Sequence, residues 1–113
     1  MSSQNSSNTS QIFSPFRLSA KLEIKNRIIM APMTRRFADK EGKAISSMAN
    51  YYARRADTGF IVTEGTLISE DAIGYGNIPG IYNSMQIEAW KEVTKKVHNE
   101  GGVIFMQLWH CGR

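Results

Sequence analysis

Only one cysteine, Cys111, occurs in the 113 residues, so an internal disulfide is excluded and a reducing cytoplasm is the expected compartment. Long apolar runs are also missing. Nothing approaches the roughly 20 consecutive apolar residues of a membrane-crossing helix, and no membrane partner is expected. The opening MSSQNSSNTSQ has neither the basic start nor the apolar centre of a secretory signal. Residues 1–12 read as a disordered polar tail.

Histidine is almost as scarce as cysteine. His98 and His110 stand far apart, and Cys111 beside His110 is not a zinc spacing, so no metal is expected. The net charge of +4 is not concentrated. Arg35-Arg36, Arg54-Arg55 and Lys95-Lys96 are the basic doublets, and the latter two fall on predicted helices. Solvated faces explain them better than a nucleic-acid patch, and no nucleic-acid partner is expected. A dinucleotide fingerprint is lacking as well: in GYGNIPG (74–80), Pro79 stands where its third glycine belongs.

What is present is the composition of a globular chain, 42% hydrophobic and 21% charged. FRLSAKLEIKN (16–26) alternates around Ser19-Ala20-Lys21 and predicts a β-hairpin. Ile28-Ile29-Met30-Ala31 has no polar face and predicts a strand buried on both sides, ended by Pro32. Ser46 or Ser47 is placed to cap a helix whose inner face carries Met48, Tyr51 or Tyr52, and Ala56, with Gly59 closing it. Phe60-Ile61-Val62-Thr63 is the next strand. A second helix, capped by Ser84, would bury Ile87, Trp90, Val93 and Val97 and end at Gly101-Gly102, before the strand Val103-Ile104-Phe105-Met106.

Strand, helix, strand, helix, strand is the order of parallel βαβ units with long loops leaving the carboxyl ends of strands. A complete eightfold barrel needs about 250 residues. The chain therefore reads as α/β, a partial (β/α)8 barrel: an amino-terminal hairpin plus the first three parallel strands and two helices.

The carboxyl rim of such a sheet carries chemistry. Pro32-Met33-Thr34, Glu64-Gly65-Thr66 and Gln107-Leu108-Trp109 follow the three strands. Thr34 offers a hydroxyl, Gly65 a backbone that a flat ligand or another segment could approach, and Gln107 the donor and acceptor pattern that matches a pyrimidine-like edge. Glu64, directly after a buried strand, must be paired, catalytic or turned to solvent, and pairing carries about twice the weight of catalysis.

The segments NRIIMAPMTR (26–35), YYARRADTGFIVTEGTLIS (51–69), GYGNIPGIY (74–82) and FMQLWHCGR (105–113) resemble the amino-terminal part of the old yellow enzyme family of FMN-dependent alkene reductases. The resemblance implies that residues 13–113 are the incomplete amino-terminal part of an FMN-binding TIM barrel. It implies FMN as cofactor, NAD(P)H as reductant and a small activated alkene as substrate. It places Pro32, Met33, Thr34, Gly65 and Gln107 at the flavin, and Tyr75 and Trp109 at the substrate pocket. The histidine pair and tyrosine proton donor of the family have no counterpart here, so no catalytic residue is assigned. The alternative is a non-catalytic folding or interaction module able to self-associate through an exposed sheet edge.

Overall fold

A computed structural model describes residues 10–112. The first strands, β1 (Phe16–Ser19) and β2 (Leu22–Ile24), form the antiparallel hairpin, with Ser19 opposite Leu22 and Ala20-Lys21 at the turn. Of the expected polar tail, residues 1–9 lie outside the described residues. Residues 10–13 are helical, and the Ile12 carbonyl accepts from Arg27 N at 2.8 Å, which ties this turn to the chain beyond the hairpin.

Three parallel strands follow as the centre of the fold. They are β3 (Ile29–Met30), β4 (Phe60–Val62) and, after one further strand described below, β6 (Ile104–Phe105), arranged β3-β4-β6. Met30 pairs with Ile61 and Ile61 with Ile104, so these three side chains share a face. That face is covered by α1 (Ser46–Ala53) and α2 (Ser84–Asn99). Met48, Tyr52, Ile61, Trp90, Val93 and Val97 are its buried centre.

The opposite face carries Ile29, Phe60, Val62 and Phe105 and has no layer over it among the described residues. Ile29 is 41% exposed and Phe105 44%, while Phe60 and Phe105 meet edge to face at 5.1 Å. The expectation that the first strand is buried on both sides is thus corrected. An apolar run records what a strand can bury, whereas burial needs a partner on each face, and here only one face meets helices.

Helix ends also depart from the expected caps. α1 begins at Ser46 after Ile45, with no side-chain cap, so neither Ser46 nor Ser47 serves. It stops at Ala53, well before Gly59. Gly59 has another use: a Cβ there would stand 2.2 Å from the Asn26 carbonyl oxygen, and Gly59 N donates to Ile28 O at 2.7 Å. For α2, Asn83 rather than Ser84 is the cap, its side chain accepting from Gln86 N. Replacing Asn83 with alanine is expected to cost about 0.5–2 kcal/mol in chemical denaturation; a loss within error would show the cap to be dispensable.

Gln86, not Ile87, takes the first inward position of α2. It is fully buried, with Nε2 donating to Glu41 O at 2.9 Å and Oε1 accepting from Tyr82 N at 3.0 Å. The far end matches the expectation. Gly101, at φ 79°, sits past the cap, with Gly101 N bonded to His98 O and Gly102 N to Val97 O, the left-handed closure that glycine permits.

Two short strands had no sequence signal. β5 (Thr66–Leu67) pairs in parallel with β7 (Leu108–Trp109). Val62 is opposite Phe105, but Thr66 is opposite Leu108, so the path from β4 to β5 has one residue more than the path from β6 to β7. This bulge breaks the alternation, and Thr63, Glu64, Gly65 and Thr66 are all buried in succession. No helix among the described residues is long and apolar enough to cross a membrane.

Candidate functional site

The bulge shapes the carboxyl rim. Thr63 N bonds to Phe105 O and Thr66 N to Gln107 O, both at 2.9 Å, and the two residues between them step out of the ladder. Glu64 turns into the protein. Its Oε2 accepts from the Tyr52 hydroxyl at 2.6 Å, and that hydroxyl accepts in turn from Glu64 N at 2.9 Å. Its carbonyl accepts from the hydroxyls of Thr63 and Thr66. Structural pairing, the reading given more weight, is what the side chain does.

Glu64 Oε1 is buried and has no partner among the described residues. Burial, above all, lifts the Glu64 carboxyl above its usual range, while the Tyr52 bond and the Arg35 charge pull the other way. The Tyr52 phenol is also raised, first by burial and then by the carboxylate beside it. Arg35 lies with its guanidinium 3.6 Å from the Tyr51 ring centroid, and Tyr51 meets Tyr52 edge to face at 5.2 Å. Among the described residues, aromatic stacking rather than an ion pair holds that arginine.

Of Tyr51 and Tyr52, both compatible with the inner face of α1 by spacing, Tyr52 is the buried one. A phenol on the inner face of a helix must find a partner, and an acid after a buried strand must too; matching these two needs was the available signal.

Two loops build the rest of the rim. Asn77 Nδ2 donates to Ala38 O at 2.8 Å, Arg36 Nε to Gly76 O at 3.1 Å, and Gly80 N to Gly42 O at 2.8 Å. The segment after β3 and the segment after β5 are thus clasped together. Arg36 and Asn77 hold positive φ values of 60° and 61° at this clasp.

The predicted residues fall as follows. Pro32, Met33 and Thr34 leave the carboxyl end of β3, with Met33 and Thr34 exposed. Gly65 sits at the bulge and Gln107 between β6 and β7, and both therefore occupy the same end of the parallel sheet as Thr34. Gln107 N bonds to Thr63 Oγ1 at 3.3 Å, while its exposed side-chain amide has no protein partner among the described residues. The Thr34 hydroxyl and the Gly65 N–H are unbonded in the same sense. Tyr75 and Trp109 come together, their rings stacked at 6.0 Å and 26°.

The carboxyl end of the sheet thus carries a hydroxyl, a backbone N–H and a carboxamide, with the stacked Tyr75–Trp109 pair at the same end. These donors and acceptors fit the pyrimidine side of a flavin; nothing in the set is a metal ligand.

Residues 11–113 match the NADH:flavin oxidoreductase / NADH oxidase family, and the chain belongs to it. Chanoclavine-I aldehyde reductase fgaOx3 of Penicillium roqueforti is 48% identical over 105 residues, 91% of this chain and 28% of that protein. The solved old yellow enzyme homologue of Zymomonas mobilis is 47% identical with a TM-score of 0.87, over 91% of this chain and 29% of that one. Morphinone reductase in complex with tetrahydroNAD is 42% identical with a TM-score of 0.85, over 90% of this chain and 28% of that one. The fold is therefore part of a TIM barrel, spanning a little over a quarter of the relatives' length.

Proposed function

We propose that this chain forms one edge of an FMN site in an alkene reductase. Thr34 would donate its hydroxyl, Gly65 its free backbone N–H and Gln107 its carboxamide to the polar edge of the isoalloxazine, with Pro32 and Met33 packed beside the ring. When bound, FMN supplies hydride chemistry between a reduced nicotinamide, NADH or NADPH, and a C=C bond activated by a carbonyl or nitro group. The protein's part is to orient the ring and to place donors where negative charge grows. Tyr75 and Trp109 would form the wall against which the alkene lies.

The observation that carries this reading is the bulge between β4 and β5, which withdraws Gly65 N from the ladder beside two unpaired side chains of the same rim. Titration of the 113-residue chain with FMN, followed by flavin fluorescence, is the test. Weak saturable binding is expected, and Thr34→Ala and Gln107→Ala should each weaken it by about tenfold, the value of one hydrogen bond of roughly 1.4 kcal/mol. Equal binding by all three chains would overturn the assignment. With no proton donor of the family among its residues, the chain alone is expected to oxidise no NADPH in response to an enone.

A second reading, self-association, is favoured by the uncovered sheet face around Ile29 and Phe105. Size-exclusion chromatography separates the two: FMN should leave the elution of a self-associating module unchanged. The compartment we infer is the cytoplasm, supported by the lone unpaired Cys111.

A further inference from the structure

The close approach that glycine at position 65 permits is made by the protein itself. A Cβ on Gly65 would stand 2.5 Å from Trp109 Cε3, 2.9 Å from Cδ2 and 3.3 Å from Cγ. The clash is with the fused part of a rigid indole close to its Cγ, so it is relieved only by turning or shifting the whole ring. At Cys111, two residues after Trp109, the same arrangement recurs with a second glycine. A Cβ on Gly74 would stand 2.6 Å from Cys111 Cβ and 3.1 Å from its Sγ. Trp109 and Cys111 belong to one hydrophobic cluster with Leu67, Ala72 and Ile78, and Cys111 N bonds to Ala72 O at 3.0 Å.

We propose that Gly65 is a positioning residue for the aromatic wall, its missing side chain forming the socket of the Trp109 indole, and that Gly74 seats Cys111 in the same way. The indole is then held from two directions, by the bare Gly65 backbone and by the Tyr75 ring stacked at 6.0 Å. Its distance from the rim is set by the protein before any ligand arrives. How thick a flat molecule the rim admits is accordingly decided at position 65 as much as at position 109. This consequence rests on the rim being a ligand site; the contact between Gly65 and Trp109 does not.

The chain contains two tryptophans, so labelling with 5-fluorotryptophan gives two fluorine resonances, which Trp109→Phe assigns. In Gly65→Ala, the Trp109 resonance is expected to move by more than its linewidth while that of the core residue Trp90 stays in place. An unmoved Trp109 resonance in a folded Gly65→Ala chain overturns the proposal. Should Gly65→Ala collapse the Trp90 signal to its unfolded position, the double variant Gly65→Ala/Trp109→Ala must restore it, because the clashing ring is gone; failure to restore it also overturns the proposal. FMN titration of the wild-type chain judges the cofactor reading separately, since the fluorine shift is recorded without FMN.

Discussion

Truncating Trp90 to alanine is expected to lower the unfolding free energy by about 3–5 kcal/mol, the range for removing a fully buried large aromatic. Trp90 is 2% exposed and lies 6.3 Å from the Tyr52 ring, between the two helices and the sheet. Its Nε1 also donates to Gly80 O at 3.1 Å, and Gly80 N holds Gly42 O. The indole therefore supports both the core and the clasp between the two rim loops. Trp90→Phe keeps most of the volume and loses the bond, which should cost about 1 kcal/mol from the unpaired carbonyl plus a smaller packing loss. Urea denaturation of the three chains decides the matter. A loss below about 1 kcal/mol for Trp90→Ala would mean that this core is not what holds the chain together.

The second large effect concerns Tyr52 and Glu64, and it depends on pH. Removing the Tyr52 hydroxyl leaves Glu64 N and Oε2 without partners in a buried place already containing an unpartnered Oε1. Tyr52→Phe should cost about 1–3 kcal/mol. The wild-type carboxyl is raised above its ordinary 4.5 in the folded chain, chiefly by burial. Above pH 4.5 the unfolded chain gives up this proton first, while the folded chain keeps it until its higher pKa is reached. Stability from this group is thus complete below 4.5, declines as pH rises through the window between the two pKa values, and levels off above it. Glu64→Gln has no proton to lose, and its amide oxygen can still accept from Tyr52. Relative to wild type, Glu64→Gln should gain stability as pH rises above 4.5 and stop gaining once the folded carboxyl has also ionised. Parallel stability profiles for the two chains would show Glu64 to be an ordinary charged carboxylate.

Both effects bear on the proposed site. Glu64 is the residue before Gly65, and its carbonyl is held by two threonine hydroxyls. Whatever loosens the Tyr52 bond loosens the bulge that presents Gly65 N, so Tyr52→Phe should weaken FMN binding although Tyr52 lies behind the rim. The family name speaks of flavin and NADH, and residues 11–113 of this chain carry the match.

The sequence by itself determined the local events. The hairpin at 16–26, the three strand positions, the long second helix and its Gly101 closure follow from alternation, apolar runs and a left-handed turn, which are properties of near neighbours. It also placed Thr34, Gly65 and Gln107 after strands, because parallel connections send their loops from one end. Tertiary structure decided the rest. Gln86 displaced Ile87 inside, since Glu41, distant in the chain, and Tyr82, beside the helix, supplied partners for its amide, and with Gln86 turned inward its N–H is capped by Asn83 rather than Ser84. Only three-dimensional pairing could reveal the extra residue between β4 and β5, because a bulge is defined by the strand opposite it. For the same reason the tenant of the space beside Gly65, Trp109 at 44 residues' remove, could not be read from the chain: an absent side chain says that something comes close, and the fold says what.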